Sequence, residues 1–453
     1  MNRTLTTLLC LGWFTFLYAV SPTRTLPVVY VSIDNNLMPT DKETQLPASV
    51  YIDSILPEFP ASGSATSPIR ATIKGRGNWT WNGFDKKPYK IKFDKKQNIL
   101  GMPKNRHWNL MACADDWLGF LKMPAGFAIS KAVGLRWTPR MQPVELVMNG
   151  QYMGLYFLTE HVRIGTHRVN IQEQENYETQ SDSITGGWLV EIDNYQSEGN
   201  VAFQEGNGQY VMVSLHEPDT LSAEQRNYIH NQLNTLNNAL YDHNSELPAI
   251  LDIREAAKFY LVQEIMEDCE SYHGSCYLYK DRDSLGIADP WKFGPVWDFG
   301  NAYDRHAERW IYDGPTWPQY WIAQLATWPE FQTAVKEEWW IYCHTMTDSV
   351  RTEIQEMAAR IEAAARNDAK VWRNTANYRD NSDMASRLND FLNRYNWRLN
   401  WLHAQWGEGI RPLTWDTGTT DADEQQATKI LRNGQILIRR GGHTYNIQGC
   451  LAQ

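Results

Sequence analysis

The side chains best suited to chemistry fall between Gln263 and Asp304. A helix-like run ends near Asp268, a loop crosses Cys269 to Ser275, and Cys276-Tyr277-Leu278-Tyr279-Lys280 has the composition of a strand. Asp281 to Gly286 supplies turn residues, and Trp291 to Trp297 returns as a second strand, which Gly294 and Pro295 place at an edge or bulge. Antiparallel pairing sets whatever precedes the first strand beside whatever follows the second, so Asp268, Glu270 and Ser275 are expected next to Asp298. Carboxylates gathered in this way repel one another unless a cation neutralises them, and a hard metal such as Mg²⁺ is the natural counter-charge. A metal beside a free carboxylate suggests phosphoryl transfer, in which one acid holds the incoming hydroxyl and another holds the metal. Asp298-Phe299-Gly300 spells the magnesium tripeptide of protein kinases, a weak signal alone and a better one after a helix, loop and hairpin. The plainer alternative is a hairpin with capping and turn carboxylates.

A phosphate donor also needs cations. Lys74-Gly75-Arg76-Gly77-Asn78 offers glycines that would let backbone N–H groups approach phosphates, with Lys74 and Arg76 beside them. Lys90 and Lys92 share one face of the next strand, and Glu160 is placed to orient such a lysine, as a glutamate does in kinases. Each alone reads more readily as an exposed basic strand or a surface acid; their combination with the acids is what points to a nucleotide. Gly-x-Ser-x-Gly and His-Glu-x-x-His are absent, and the 11 His show no metal-ligand spacing. Glycoside hydrolysis by paired acids among Asp268, Glu270 and Asp298 is the rival in a chain with 20 Trp, but it leaves the glycine loop and its lysines unexplained.

The elements that must position these groups change character along the chain. Val28 to Ile33, Ser49 to Ile52, Ala71 to Lys74 and Tyr89 to Phe93 read as strands, the last with the period of two of a half-buried strand. Asn149-Gly150 between Val144 to Met148 and Gln151 to Glu160 is the best hairpin signal, and one helix is expected near Phe120 to Val133. From about residue 220 the pattern turns helical: Ser222 to Tyr241, then a helix opened by Asp252 and Glu255, then 330 to 365 and 383 to 405. Residues 416–428 are polar and aperiodic, a linker, and 429–453 hold strand-like runs of a small β module.

With 453 residues, 42% hydrophobic and 21% charged, the chain is too apolar for disorder and long enough to bury roughly 75% of its unfolded surface. The net charge of −10 argues against nucleic acid as the partner. Arg3 and the apolar run Leu8 to Val20 have the form of a secretory signal, with residues 1–21 removed, and no later stretch is long enough to span a bilayer. The five other Cys are scattered without a Cys-x-x-Cys pair, so neither a disulfide framework nor a structural zinc site is expected.

At these residues the sequence resembles the CotH kinase family, the spore-coat-protein-H-like atypical protein kinases, over about Leu26 to Trp406. The carriers are Arg76-Gly77-Asn78 with Lys87-Pro88-Tyr89-Lys90-Ile91-Lys92, Trp108-Asn109-Leu110 with Asp115-Asp116-Trp117-Leu118, Gly187 to Asp193, and Tyr277 to Asp281 with Gly294 to Phe299. The resemblance implies an α+β, two-lobed protein-kinase-like fold over 26–415, with a strand-rich lobe at about 26–165 and a helix-rich lobe at about 166–415. It implies ATP with Mg²⁺ or Mn²⁺ and transfer of phosphate to Ser or Thr of exported proteins. Asp298 would hold the metal with Ser275, Glu270 or Asp268 would act on the acceptor, and Lys74, Arg76, Lys90 and Lys92 would meet the donor, with Glu160 orienting a lysine. Where such members carry Asn-x-Asp this chain has Asp268-Cys269-Glu270, and Gly300-Asn301 replaces a second acid after Trp297-Asp298. These departures make a catalytically degenerate binding or structural protein the first alternative and a carbohydrate-active or carbohydrate-binding surface protein the second. The tail, Lys429 to Ile438 with Thr444 to Gly449, resembles a type IX secretion sorting segment. That implies contact with the secretion machinery and a secreted or cell-surface location, periplasmic in transit.

Overall fold

Alternating apolar residues in the first half close a seven-stranded barrel in the order β1-β2-β3-β4-β5-β7-β6. The strands are β1 Val28–Ile33, β2 Leu46–Asp53, β3 Ile69–Gly75, β4 Tyr89–Ile99, β5 Met102–Met111, β6 Met141–Met148 and β7 Gln151–Glu160. Neighbours are antiparallel except at the seam, where β1 runs parallel to β6 with Val29 opposite Leu146. The interior is filled by every second residue, among them Val31, Val50, Ile73, Ile91, Phe93, Trp108, Leu146 and Tyr156. The expected hairpin forms: Asn149 and Gly150 both take positive φ, 49° and 76°, and join Met148 to Gln151.

The computed structural model describes residues 20–193, 201–204, 210–313, 320–407, 428–432, 435–440 and 443–446. The expected signal segment, apart from its last two residues, and the expected linker up to residue 427 lie outside the described residues. Among the described residues no helix is long and apolar enough to cross a membrane.

The short α1 Trp79–Gly83 follows β3, and α2 Lys122–Val133 leaves the barrel after β5. Beyond the barrel comes a second sheet, β12-β11-β8-β10-β9, made of β8 Trp188–Ile192, β9 Val201–Gln204, β10 Tyr210–Glu217, β11 Cys276–Lys280 and β12 Lys292–Phe293. The protein is thus a mixed α+β fold, and residues 166–415 are less purely helical than expected. The helices here are α3 Ala223–Tyr241, α4 Leu247–Ile250, α5 Ile253–Met266, α6 Tyr320–Leu325, α7 Pro329–Thr345, α8 Thr347–Trp372 and α9 Met384–Trp406. The single helix expected over 330 to 365 is two, broken at Met346, because its apolar stripe changes face there and α8 turns to pack on β7.

That packing needs a glycine. A Cβ on Gly154 (φ +93°) would fall on the Oδ1 of Asp368 from α8, which accepts from the Leu155 N–H at 2.9 Å and pairs with buried Lys86 at 2.6 Å. At the carboxyl end, β13 Thr428–Arg432, β14 Gln435–Arg440 and β15 His443–Asn446 form a three-stranded antiparallel sheet.

Candidate functional site

Helix α5 starts on Asp252, whose side chain accepts from the Glu255 N–H, while the Glu255 carboxylate turns to the Arg136 N–H instead of closing a capping box. The helix ends on Glu267 in the left-handed region (φ 50°), with its N–H returned to the carbonyls of Gln263 and Glu264. This turn drops Asp268 into the interior, shut off from water. One Asp268 oxygen accepts weakly from the Glu270 N–H, and Oδ2 has no partner. Burial, reinforced by the charges of Glu270 and Asp298, holds its carboxyl well above the usual range.

From there the chain makes a tight loop to Ser275 (φ 52°) and enters β11. The expected ribbon is present, with Leu278 opposite Phe293 and Tyr279 opposite Lys292, and β12 is the sheet edge. Only Lys292 and Phe293 keep ladder pairing out of the expected Trp291 to Trp297, since Pro295 brings no N–H and Gly294 leaves the extended region at φ +116°. The chain then reaches Asp298, exposed and in the left-handed region (φ 56°), with Oδ1 accepting from the Gly300 N–H at 3.3 Å. Non-glycine residues in that region are uncommon, and three of them stand at Glu267, Ser275 and Asp298, bracketing this site.

The ribbon therefore brings together the acids that the sequence singled out. Glu270 is pushed up to about 7 by burial first and the Asp298 charge second, against a hydrogen bond from the Asn301 amide to its Oε2. Phe299 anchors the loop by lying on α2 at Gly126, where a Cβ would fall 2.2 Å from the Phe299 ring. Two further residues, not marked for chemistry in the sequence, complete the site. Asp115 is pushed up to about 7 by burial and the Asp298 charge. Lys122 of α2, itself buried, donates to the Gly300 carbonyl at 2.8 Å and to Asp304 Oδ1 at 2.7 Å. A lone lysine inside the apolar run Leu118 to Ile129 was the available signal for it, since a buried charge requires a partner.

The cations approach from the barrel. Arg76 stacks its guanidinium over Trp297 at 5.6 Å, and Asp298, Tyr277 and Glu191 are its electrostatic neighbours. Lys90 Nζ lies 2.9 Å from His161 Nε2, and burial followed by Lys74 and Arg76 brings its pKa down to about 8. Lys92 is half-buried on the same face of β4, and Lys74 is 4.0 Å from Glu43.

Two expectations are corrected. Glu160 does not orient a lysine: its Oε2 accepts from the Arg140 N–H and Nε at 2.9 and 3.0 Å, and Arg168 lies 3.9 Å from Oε1, because Arg140 stands opposite Glu160 at the entry to β6 and Arg168 returns from the loop after β7. The glycine loop does not offer its first two N–H groups, since Gly75 donates to Asp41 and Arg76 to Pro88. Gly75 is required by packing, as a Cβ there would fall 2.4 Å from the Trp81 ring. Two cavities of about 240 and 460 Å³ lie away from the acids, one behind β11 and β12 beside Trp137, the other between α2, α8 and the start of β6.

Among the described residues no three His, Cys, Asp or Glu side chains form a ready-made metal cage. Mg²⁺ does not need one, as it is held by one or two carboxylates together with waters and phosphate oxygens. The donors present, the unpartnered Asp268 Oδ2 with the Glu270 and Asp298 carboxylates close to it, are of the oxygen type that a hard cation takes.

In this α+β protein a carboxylate cluster thus stands at the end of a β-ribbon, with Arg76 and Lys122 as its cationic neighbours. Residues 73–399 match the family described as CotH kinase protein, and the chain belongs to that family. No curated protein matches it.

Proposed function

We propose that this protein is a secreted or cell-surface kinase that transfers the γ-phosphoryl group of ATP to Ser or Thr hydroxyls of exported proteins, with Mg²⁺ or Mn²⁺. The observation that carries the reading is the meeting of Glu270, Asp268 and Asp298 at the two ends of one ribbon, with Arg76 electrostatically tied to Asp298. Bound metal would neutralise phosphate charge, and Asp298, with Ser275 nearby in sequence to β11, is the residue to hold it. Glu270 supplies a carboxylate whose pKa of about 7 suits it to accept the acceptor's proton near neutrality. The hydroxyl oxygen then bonds to the γ-phosphorus as the bond to the bridging oxygen breaks, ADP leaves, and the proton stays on Glu270. Arg76 and Lys90 offset the charge on the phosphate oxygens, with Lys74 and Lys92 adding to the field.

The signal-like start supports export, and a separate three-stranded sheet at residues 428–446 supports a sorting role for the tail. A second reading, a catalytically silent binding protein of this family, is favoured by the Glu160 side chain being committed to arginines rather than to Lys90.

Incubation of the mature protein with labelled ATP and Mg²⁺ or Mn²⁺ tests the choice. Autophosphorylation that disappears in Asp298→Ala is expected. Absence of label, with no rise in melting temperature on adding nucleotide and metal, overturns it in favour of the silent protein.

A further inference from the structure

Gly300 lies two residues past Asp298 and carries no side chain, and the space that a side chain would take is already filled. A Cβ built there falls 2.4 Å from Asp115 Oδ2 and 3.4 Å from Asp298 Oδ1, so both carboxylates border the same point. Asp115 comes from the loop between β5 and α2, far away in sequence, and that loop is held firmly. Asp116 caps it by accepting from the Leu118 and Lys122 N–H groups at 2.7 and 2.9 Å, and the Asn381 amide donates to the Asp116 carbonyl at 2.7 Å. Lys122 then ties the same segment to the Gly300 carbonyl. Asp268, fully buried with Oδ2 unpartnered, lies close enough to Asp298 for the two carboxyls to interact, from a third segment.

We infer that Asp115 is the second carboxylate of the divalent-cation site, delivered from another part of the chain to the position that a side chain at 300 would occupy. This rests on the reading of Asp298 as a metal ligand. Two carboxylates held from two segments suit a cation that completes its shell with water and phosphate oxygens. The arrangement also bears on the glycine: a side chain at 300 would require the Asp115 carboxylate to move aside.

The test is Mn²⁺ binding to the full-length mature protein, followed by calorimetry and by the electron paramagnetic resonance signal of free Mn²⁺, with no nucleotide present. Asp298→Ala reports on the underlying reading and Asp115→Asn on this one. Asp115→Asn should weaken Mn²⁺ binding at least tenfold while the metal-free melting temperature is kept or raised, because a repelling charge beside Asp298 has gone. Moving the carboxylate with the pair Asp115→Gly and Gly300→Asp should restore Mn²⁺ affinity to within a few-fold. If Asp298→Ala abolishes binding and Asp115→Asn leaves it unchanged, the inference fails and the metal reading stands. If neither variant changes binding, or the wild-type protein binds no Mn²⁺, both fall.

Discussion

Lys122 Nζ sits 2.7 Å from Asp304 Oδ1 and 2.8 Å from the Gly300 carbonyl oxygen, with a side chain only 1% exposed. One buried ammonium thus spans the loop that carries Asp298, and Trp117 covers it, its ring 5.3 Å away and its indole N–H also bound to Asp304.

Lys122→Met should therefore uncouple that loop from α2. Asp304 is 39% exposed and can rehydrate, so the cost to stability is limited to about 1.5–3 kcal/mol, the range for hydrogen bonds to charged groups. Phosphotransfer should fall at least tenfold in kcat, with KM for ATP changed much less, because Lys122 positions Asp298 rather than meeting the nucleotide. Urea unfolding and steady-state kinetics check the two halves, and a lost KM with unchanged kcat would refute the positioning role.

Much of this arrangement was legible in the chain. The ribbon, its edge position and the convergence of Asp268, Glu270 and Asp298 follow from a helix, a loop and two strands close in sequence, where antiparallel pairing leaves one geometry. The Asn149-Gly150 hairpin was legible for the same local reason. What escaped was long-range. Closing a barrel through a parallel β1–β6 seam leaves no mark on either strand, since the direction of pairing does not change which residue types face the interior. Asp115 and Lys122 join the site only through tertiary packing, and Glu160 looked available because nothing in its neighbourhood along the chain announces Arg140 or Arg168. Gly75 was read for phosphate approach and serves the Trp81 ring, two uses of the same missing side chain that sequence alone does not separate.

Arg398 of α9 fixes the other side of the acidic loop. Its Nη2 donates to Glu264 Oε2 at 2.5 Å, its Nε to the Glu264 carbonyl at 2.7 Å, and its Nη1 to the carbonyls of Ala307 and Arg309 at 3.1 and 2.9 Å. Both side chains are fully buried. Arg398→Met should cost about 3–5 kcal/mol by leaving the Glu264 charge unpaired in the interior. Combining it with Glu264→Gln should recover part of that loss, because the orphaned charge is then gone while the freed carbonyls remain unpaired. Chemical denaturation of the single and double variants checks this, and additive losses would show that the two side chains do not act as a pair.

Lys90 gives the protein a pH dependence of definite sign. Burial, with Lys74, Arg76, Arg163 and Lys92 adding repulsion, lowers its pKa from 10.5 to about 8, and His161 beside it is held neutral by burial and by the Lys90 charge. Between pH 8 and 10.5 the unfolded chain therefore binds more protons at this residue than the folded one. Its contribution is least favourable below pH 8, and it recovers as pH rises through that window. Ligand binding should run the opposite way. Below pH 8 the ammonium attracts phosphate, and above it the charge is lost, so affinity for ATP with Mg²⁺ should weaken several-fold between pH 7 and pH 9. Lys90→Met should bind ATP weakly at both ends, without the slope, and its unfolding free energy should no longer gain from the rise above pH 8. Calorimetric titrations and urea unfolding across that range read both effects, and an ATP affinity that is flat in the wild-type protein would remove Lys90 from the phosphate site.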